Sequence, residues 1–347
     1  MHRPVFIVGC PRSGTTLLYS MLVAAGGFAC YRKETHFYAI APRFPDLASP
    51  AARDRFLQEF LAGYLGHVPG LAVEPMVRAA LAESTSTGQF LPRLMTRITE
   101  AQRMDRWLEG TPAHVLWMKA IEASVPDALF VHVIRDGRDC ALSTARQHWA
   151  APLGLDRRRG TGVAALYWEW MVRAGRAYGR RNPADYDEVR FEELVGEPQR
   201  ALERVGRFIG QTLDFERITQ GRVHALKQPN TSFREERTRG AFNPVGRWKA
   251  PDVADDVALC EALVGPYLDS LGYQRAFPEE RAGLTEMRMR LMYMTYFGIK
   301  HFAKAHTPLG RVLTSSRPWA QQPYAGEPPV APIAAERAVE EPAAAAR

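Results

Sequence analysis

The sequence predicts an α/β protein built on a parallel sheet flanked by helices, and three candidate strands carry that prediction. Residues 5–8 are wholly apolar and end at Gly9, 128–134 form a second buried-strand run, and 186–190 are a third candidate strand. Each is followed by a segment with helical spacing, the alternation expected when strands are buried on both faces by crossover helices.

The elements follow in order. After the first strand, Pro11-Arg12-Ser13-Gly14-Thr15-Thr16 leads into a helical pattern that stops at Gly26-Gly27. Residues 43–110 differ: Phe56, Leu57, Phe60, Leu61 and Tyr64 recur at helical spacing, broken at Pro69-Gly70 and at 84–88. They read as a helical insertion over one edge of the sheet. The strand at 128–134 runs into Arg135-Asp136-Gly137-Arg138-Asp139 and a helix from Cys140 to about Trp149, and the third strand leads to a helix over 198–209. The chain then divides into a main domain of residues 1–280, a helical extension at 281–316 and a tail at 317–347. The extension is rich in Met, Tyr and Phe at helical spacing. In the tail Pro and Ala dominate, a composition that cannot bury enough surface to offset its ordering entropy.

Composition excludes several classes. At 46% hydrophobic and 24% charged over 347 residues, the chain is neither fibrous nor largely disordered. The net charge of +7 would suit nucleic acid, but only six of the 45 basic residues are lysines and the arginines are spread along the chain. A diffuse positive field draws small anions as readily, so no nucleic-acid partner is expected. Cys10, Cys30, Cys140 and Cys260 lie far apart without metal-ligand spacing, which points to a reducing compartment and no metal. No signal peptide or membrane span is expected, and the chain reads as cytoplasmic.

Gly9-Cys10-Pro11-Arg12-Ser13-Gly14-Thr15-Thr16 nearly matches the phosphate-loop pattern GxxxxGK[ST], between a buried strand and a helix. Backbone N–H groups and the helix start would cradle an anion. The lysine position, however, holds Thr15, and Arg12 is the nearby cation, so the loop suits a nucleotide with a single 5′ group. This loop resembles the 5′-phosphosulfate loop of sulfotransferases that use 3′-phosphoadenosine 5′-phosphosulfate. That resemblance implies a P-loop-like fold and gives Pro11, Arg12, Ser13, Gly14, Thr15 and Thr16 to the donor. The family's second hallmark is a strand ending in Arg with a Ser eight residues on, which together hold the donor's 3′-phosphate; here these are Arg135 and Ser143. The alternative for this strand is a magnesium-holding Asp136 of a kinase or nucleotide hydrolase, which the missing lysine opposes.

Supporting likenesses span most of residues 4–250. Glu109-Gly110-Thr111-Pro112 resembles the "KTP" segment, with Gly110 in the lysine's place and Lys119 or Lys249 as substitutes. Residues 189–194 resemble the "RYEEL" segment, which assigns the ring of Phe191 to adenine. Arg239-Gly240 and Gly246-Arg247-Trp248-Lys249 resemble a lid over the donor. The stretch around Glu34 and His36 resembles that of heparan sulfate 3-O-sulfotransferases and tyrosylprotein sulfotransferases. It implies Glu34 as catalytic base, with His36 and His114 as rivals and Arg12 meeting charge on the leaving oxygen.

The expected activity is therefore sulfuryl transfer to a hydroxyl of a small-molecule, lipid or glycan acceptor, without metal. The competing readings are a P-loop kinase or hydrolase and a non-catalytic, membrane-peripheral binding protein. The Met- and aromatic-rich 284–304 leaves open a contact with a membrane surface, and a homodimer is equally open.

Overall fold

The computed structural model describes residues 2–29, 34–64, 72–147, 152–220 and 243–315. Five parallel strands form one sheet in the order β2-β3-β1-β4-β5: β1 Val5–Gly9, β2 Phe28–Ala29, β3 Arg106–Glu109, β4 Leu129–Ile134 and β5 Tyr186–Arg190. The central pair is in register from Val5 opposite Leu129 to Gly9 opposite Val133.

The helices are α1 Thr15–Ala25, α2 Phe37–Ile40, α3 Pro50–Tyr64, α4 Val73–Ala82, α5 Thr87–Ala101, α6 Met118–Ser124 and α7 Gly137–Arg146. They continue with α8 Gly160–Gly179, α9 Phe191–Gly196, α10 Pro198–Ile209, α11 Phe215–Gln220, α12 Ala254–Ser270, α13 Leu284–His306 and α14 Gly310–Leu313. Because side chains alternate along a strand, β1 feeds two cores. Val5 and Ile7 pack with Leu18 and Met21 of α1 and Leu202 and Val205 of α10, while Phe6 and Val8 pack in the core that holds Trp168 and Met171 of α8.

The sequence reading needs adjustment at three places. The helical reading of 43–110 fits α3, α4 and α5, but the last residues of that stretch form β3, an interior strand paired with β1. Its charged ends disguise it: Arg106 is buried because its guanidinium donates to the carbonyls of Arg3 and Ile209 (2.8 Å each). The helix after β4 starts at Gly137, earlier than expected, because the Asp136 carboxylate caps it by accepting from the Arg138 N–H at 2.9 Å. Residues 148–151 lie outside those described, so the expected end at Trp149 does too. Ser143 consequently sits on the second turn of α7, not its first.

The extension is the expected helix, α13, followed by the short α14. The tail 317–347 lies outside the described residues. Among those described, no helix is long and apolar enough to cross a membrane.

Candidate functional site

The loop between β1 and α1 turns back on itself through two left-handed residues, Arg12 at φ 74° and Gly14 at φ 97°. A non-glycine residue in that region carries roughly 1–2 kcal/mol of strain, so Arg12 is held there by its surroundings. Gly14 has no alternative: a Cβ would come within 2.1 Å of the Phe191 ring, which lies against the loop. That ring also lies against Arg135, whose guanidinium carbon is 4.6 Å from its centroid. Ser13 is fully buried, and its hydroxyl has no hydrogen-bond partner among the described residues.

Arg135 leaves β4 beside this loop. Its guanidinium donates to the carbonyls of Arg12 (3.0 Å) and Pro244 (2.5 Å) and lies 3.5 Å from Asp139, while its Nε is buried without a partner among the described residues. Arg12 Nε donates to the Ser143 hydroxyl at 2.9 Å. Loop arginine, strand-end arginine and helix serine therefore meet, although Ser143 lies 131 residues from Arg12 in the chain. Burial, then the like charge of Arg135, lowers the Arg12 pKa, and Glu34 acts in the opposite direction.

Asp136 and Asp139 divide the remaining work of the motif. Asp136 is consumed by Arg138, which donates to both its oxygens (3.0 and 2.7 Å) and also to Glu261 of α12 (2.5 Å). Asp139 accepts from the N–H groups of Gly246 (2.9 Å) and Trp248 (3.0 Å). The Trp248 ring lies 3.4 Å from the Arg138 guanidinium carbon. The segment bearing Arg247 is thus fastened over the start of α7. Beneath it lies a cavity of about 290 Å³, lined by Ser143, Arg146 and Arg247 among others.

On the other side of the loop, Glu34 and His36 stand together, with His36 Nε2 3.2 Å from the Glu34 carboxylate. Their backbone is held from below by Glu109, at the end of β3. This buried carboxylate accepts from Thr35 N–H (3.3 Å) and hydroxyl (2.9 Å), Thr111 N–H (3.0 Å) and hydroxyl (2.5 Å), and pairs with His114 Nδ1 (2.8 Å). Thr111 in turn accepts from the His36 N–H at 3.1 Å. Burial pushes the Glu109 carboxyl up, but the charge and hydrogen bond of His114 and the bonds from Thr111 outweigh it and bring it down to about 2.

The model of the sulfotransferase family matches residues 4–215. The chain belongs to that family. Among solved structures it is similar to the sulfotransferase domain from the curacin biosynthetic pathway, with a TM-score of 0.53 and 17% identity, over 79% of this chain and 99% of that one. The sulfotransferase domain of the Synechococcus PCC 7002 olefin synthase gives 0.51 and 19%, over 79% and 96%. These likenesses show the shared fold. No curated protein sequence matches the chain.

As a sulfotransferase-family chain it departs from the resemblance in instructive ways. The lysine absent at Gly110 has no room, because a Cβ there would lie 2.8 Å from the Tyr19 ring. His114, one of the rival bases, is fully buried, and both its nitrogens are engaged: Nδ1 on Glu109 and Nε2 accepting from the Tyr38 N–H at 3.4 Å. It holds the Glu34 segment rather than facing an acceptor. The ring of Phe191 is buried against Gly14 and Arg135. Thr15 is buried and Thr16 exposed. Arg239 lies outside the described residues.

Two functional carboxylates, Glu109 and Asp139, escaped the sequence reading. For Asp139 the signal was available in the repeat Arg135-Asp136, Arg138-Asp139, which gives each arginine an acid. Among the described residues, no group of three or more His, Cys, Asp or Glu is placed to hold a metal ion.

Proposed function

We propose that this chain transfers a sulfuryl group from 3′-phosphoadenosine 5′-phosphosulfate to a hydroxyl of a small-molecule, lipid or glycan acceptor. The observation that carries the reading is the meeting of Arg12, Arg135 and Ser143. Within it, the two unpartnered buried atoms, Ser13 Oγ and Arg135 Nε, are both able to donate. A buried donor left unsatisfied is costly, and two such donors at a loop and strand end that also carry Arg12 and Arg135 fit an anionic group.

In this reading the loop of Pro11, Arg12, Ser13, Gly14, Thr15 and Thr16 receives the 5′-phosphosulfate. Arg135 and Ser143 receive the 3′-phosphate, with Arg247 brought to the same cavity by the grip of Asp139 on its neighbours. Phe191 keeps loop and arginine in register. The acceptor oxygen forms the new S–O bond, the bond from sulfur to the bridging oxygen breaks, and its electron pair leaves on 3′-phosphoadenosine 5′-phosphate. Arg12, a permanent cation, offsets charge on that leaving oxygen. Glu34 takes the acceptor's proton. Its pairing with His36 and its tie through Thr35 to Glu109 fix where that carboxylate stands.

Calorimetric titration with 3′-phosphoadenosine 5′-phosphate, with ATP and magnesium as control, tests the donor. The bisphosphate is expected to bind at least tenfold more tightly than ATP. Arg135→Ala, which removes a charged bidentate donor, should weaken it by about 100-fold. Equal or tighter binding of ATP with magnesium would overturn the reading in favour of a nucleoside triphosphate enzyme.

A further inference from the structure

α13 has a second apolar face that nothing among the described residues covers. One face packs inward: Met289, Tyr293 and Phe297 join the main core, and Arg290 is fixed by Glu169 (2.5 Å). The opposite face carries Leu284, Met287, Leu291, Ile299 and Phe302 in one stripe at helical spacing, continued by Val312 on α14. Leu291 is 73% exposed and Ile299 65%. Between the two helices runs an open groove of about 770 Å³, lined by Leu291, Thr295, Ile299, Ala303 and Leu313 among others. An exposed apolar surface of this extent marks a contact.

Charge selects the occupant. From Met287 to Ser315 the sequence has no Asp or Glu, whereas Arg288, Arg290, Lys300, Lys304 and Arg311 are basic. Lys300 lines the groove itself, and Arg288, Lys300 and Arg311 are exposed beside the stripe. A second copy packed face to face would set these cations against their own kind, at a cost. Arg288 is paired with Asp156 (2.6 Å) and Glu286 with Arg159 (2.8 Å), which leaves Lys300 and Arg311 as the exposed charges beside the stripe. An apolar stripe with those cations is instead complementary to an interface of acyl chains beneath anionic headgroups.

We infer that the outer face of α13 and α14 docks on the surface of an anionic lipid bilayer, with the helix lying in the interface rather than crossing it. The docking stands independently of the reaction proposed above. One consequence does rest on that reading. Because α14 packs on the turn Ala41–Arg43 that directly follows α2, with Gly310 against Pro42 and Arg43 donating to the Thr314 carbonyl (3.4 Å), docking would bring the Glu34 side of the site to the bilayer.

Flotation of the full chain with vesicles of phosphatidylcholine, with and without phosphatidylglycerol, tests the docking without any activity measurement. The protein is expected to float with the anionic vesicles. Leu291→Asp with Ile299→Asp should abolish flotation. Lys300→Gln with Arg311→Gln, which leaves the apolar stripe intact, should weaken it roughly tenfold or more. All four side chains are exposed, and an unchanged circular dichroism melt establishes that the variants fold. Failure of the wild-type chain to float, or unaltered flotation of the Asp variant, overturns the proposal. Two other outcomes overturn it in favour of a different occupant: a dimer in sedimentation that the Asp variant dissociates, in the absence of lipid binding, assigns the face to a second copy. Flotation that appears only after residues 316–347 are removed assigns it to the chain's own tail.

Discussion

The two sides of the site are organised on opposite electrostatic plans. On the proposed donor side, arginines form the proposed working surface and the carboxylates Asp136 and Asp139 stand behind them as fasteners. On the acceptor side the proposed working group is itself a carboxylate, Glu34, and the fastener behind it is another, Glu109, which holds only neutral donors and His114. A guanidinium can be positioned by a counter-charge. A carboxylate base positioned by a permanent cation would lose basicity; Glu34 is placed instead by His36 and by a backbone tied through Thr35 to Glu109.

The strongest way to break this contrast is Glu34→Gln, which keeps size and polarity and removes the base. Turnover is expected to fall by about 10²–10⁴, with affinity for 3′-phosphoadenosine 5′-phosphate changed by no more than about twofold. A parallel loss of nucleotide affinity in the same calorimetric titration would show that the two sides are not separate. His36→Gln serves as the check on which of the two groups takes the proton.

Glu109→Gln attacks the fastener instead. Each carboxylate oxygen accepts from at least two donors, so whichever position the amide nitrogen takes, N–H or O–H groups are stranded. A loss of about 2–4 kcal/mol in urea denaturation is expected. The wild-type carboxyl sits near 2 in the fold, below its ordinary 4.5, so between those values the unfolded chain binds the extra proton. Its stabilisation is complete above about pH 4.5 and drains away as pH falls towards about 2. The variant should lack that part of the acid limb. Equal pH dependence in the two proteins would remove Glu109 from its role.

Gly110→Lys sharpens the comparison with the smallest effect. Restoring the residue of the "KTP" segment should destabilise by roughly 1–3 kcal/mol, as overpacking does, because the Tyr19 ring occupies the space. Adding Tyr19→Ala should recover most of it. A single variant as stable as the parent would show that the pocket is open after all.

How much of this was legible in the sequence depended on how locally each feature is encoded. β1 and β4 are continuous or nearly continuous apolar runs beside turn residues, and the loop from Gly9 to Thr16 is a contiguous motif; both can be read from a window of a few residues. β3 cannot, because Arg106 and Glu109 look like surface charges until the carbonyls of Arg3 and Ile209 and the hydroxyls of Thr35 and Thr111 are brought to them. β2 has two residues, too few for any period. The resemblance drew attention to the residue missing at Gly110, and so away from the acid one place before it. His114 reads as a rival base in sequence because exposure is invisible there. Its burial and its two engaged nitrogens are properties of the fold alone.

The strand order carries a consequence of its own. β1 and β4 are neighbours, yet α1 after the first packs in the core with α10, while α7 after the second packs in the core with α8. The crevice at their carboxyl ends is therefore a seam between the two helical layers, the kind of topological switch point where open parallel sheets receive ligands. Arg12 belongs to one lip and Ser143 to the other. A molecule gripped by both would act as a rivet through the seam, so that its arrival would be registered as slower amide exchange on both faces of the sheet at once.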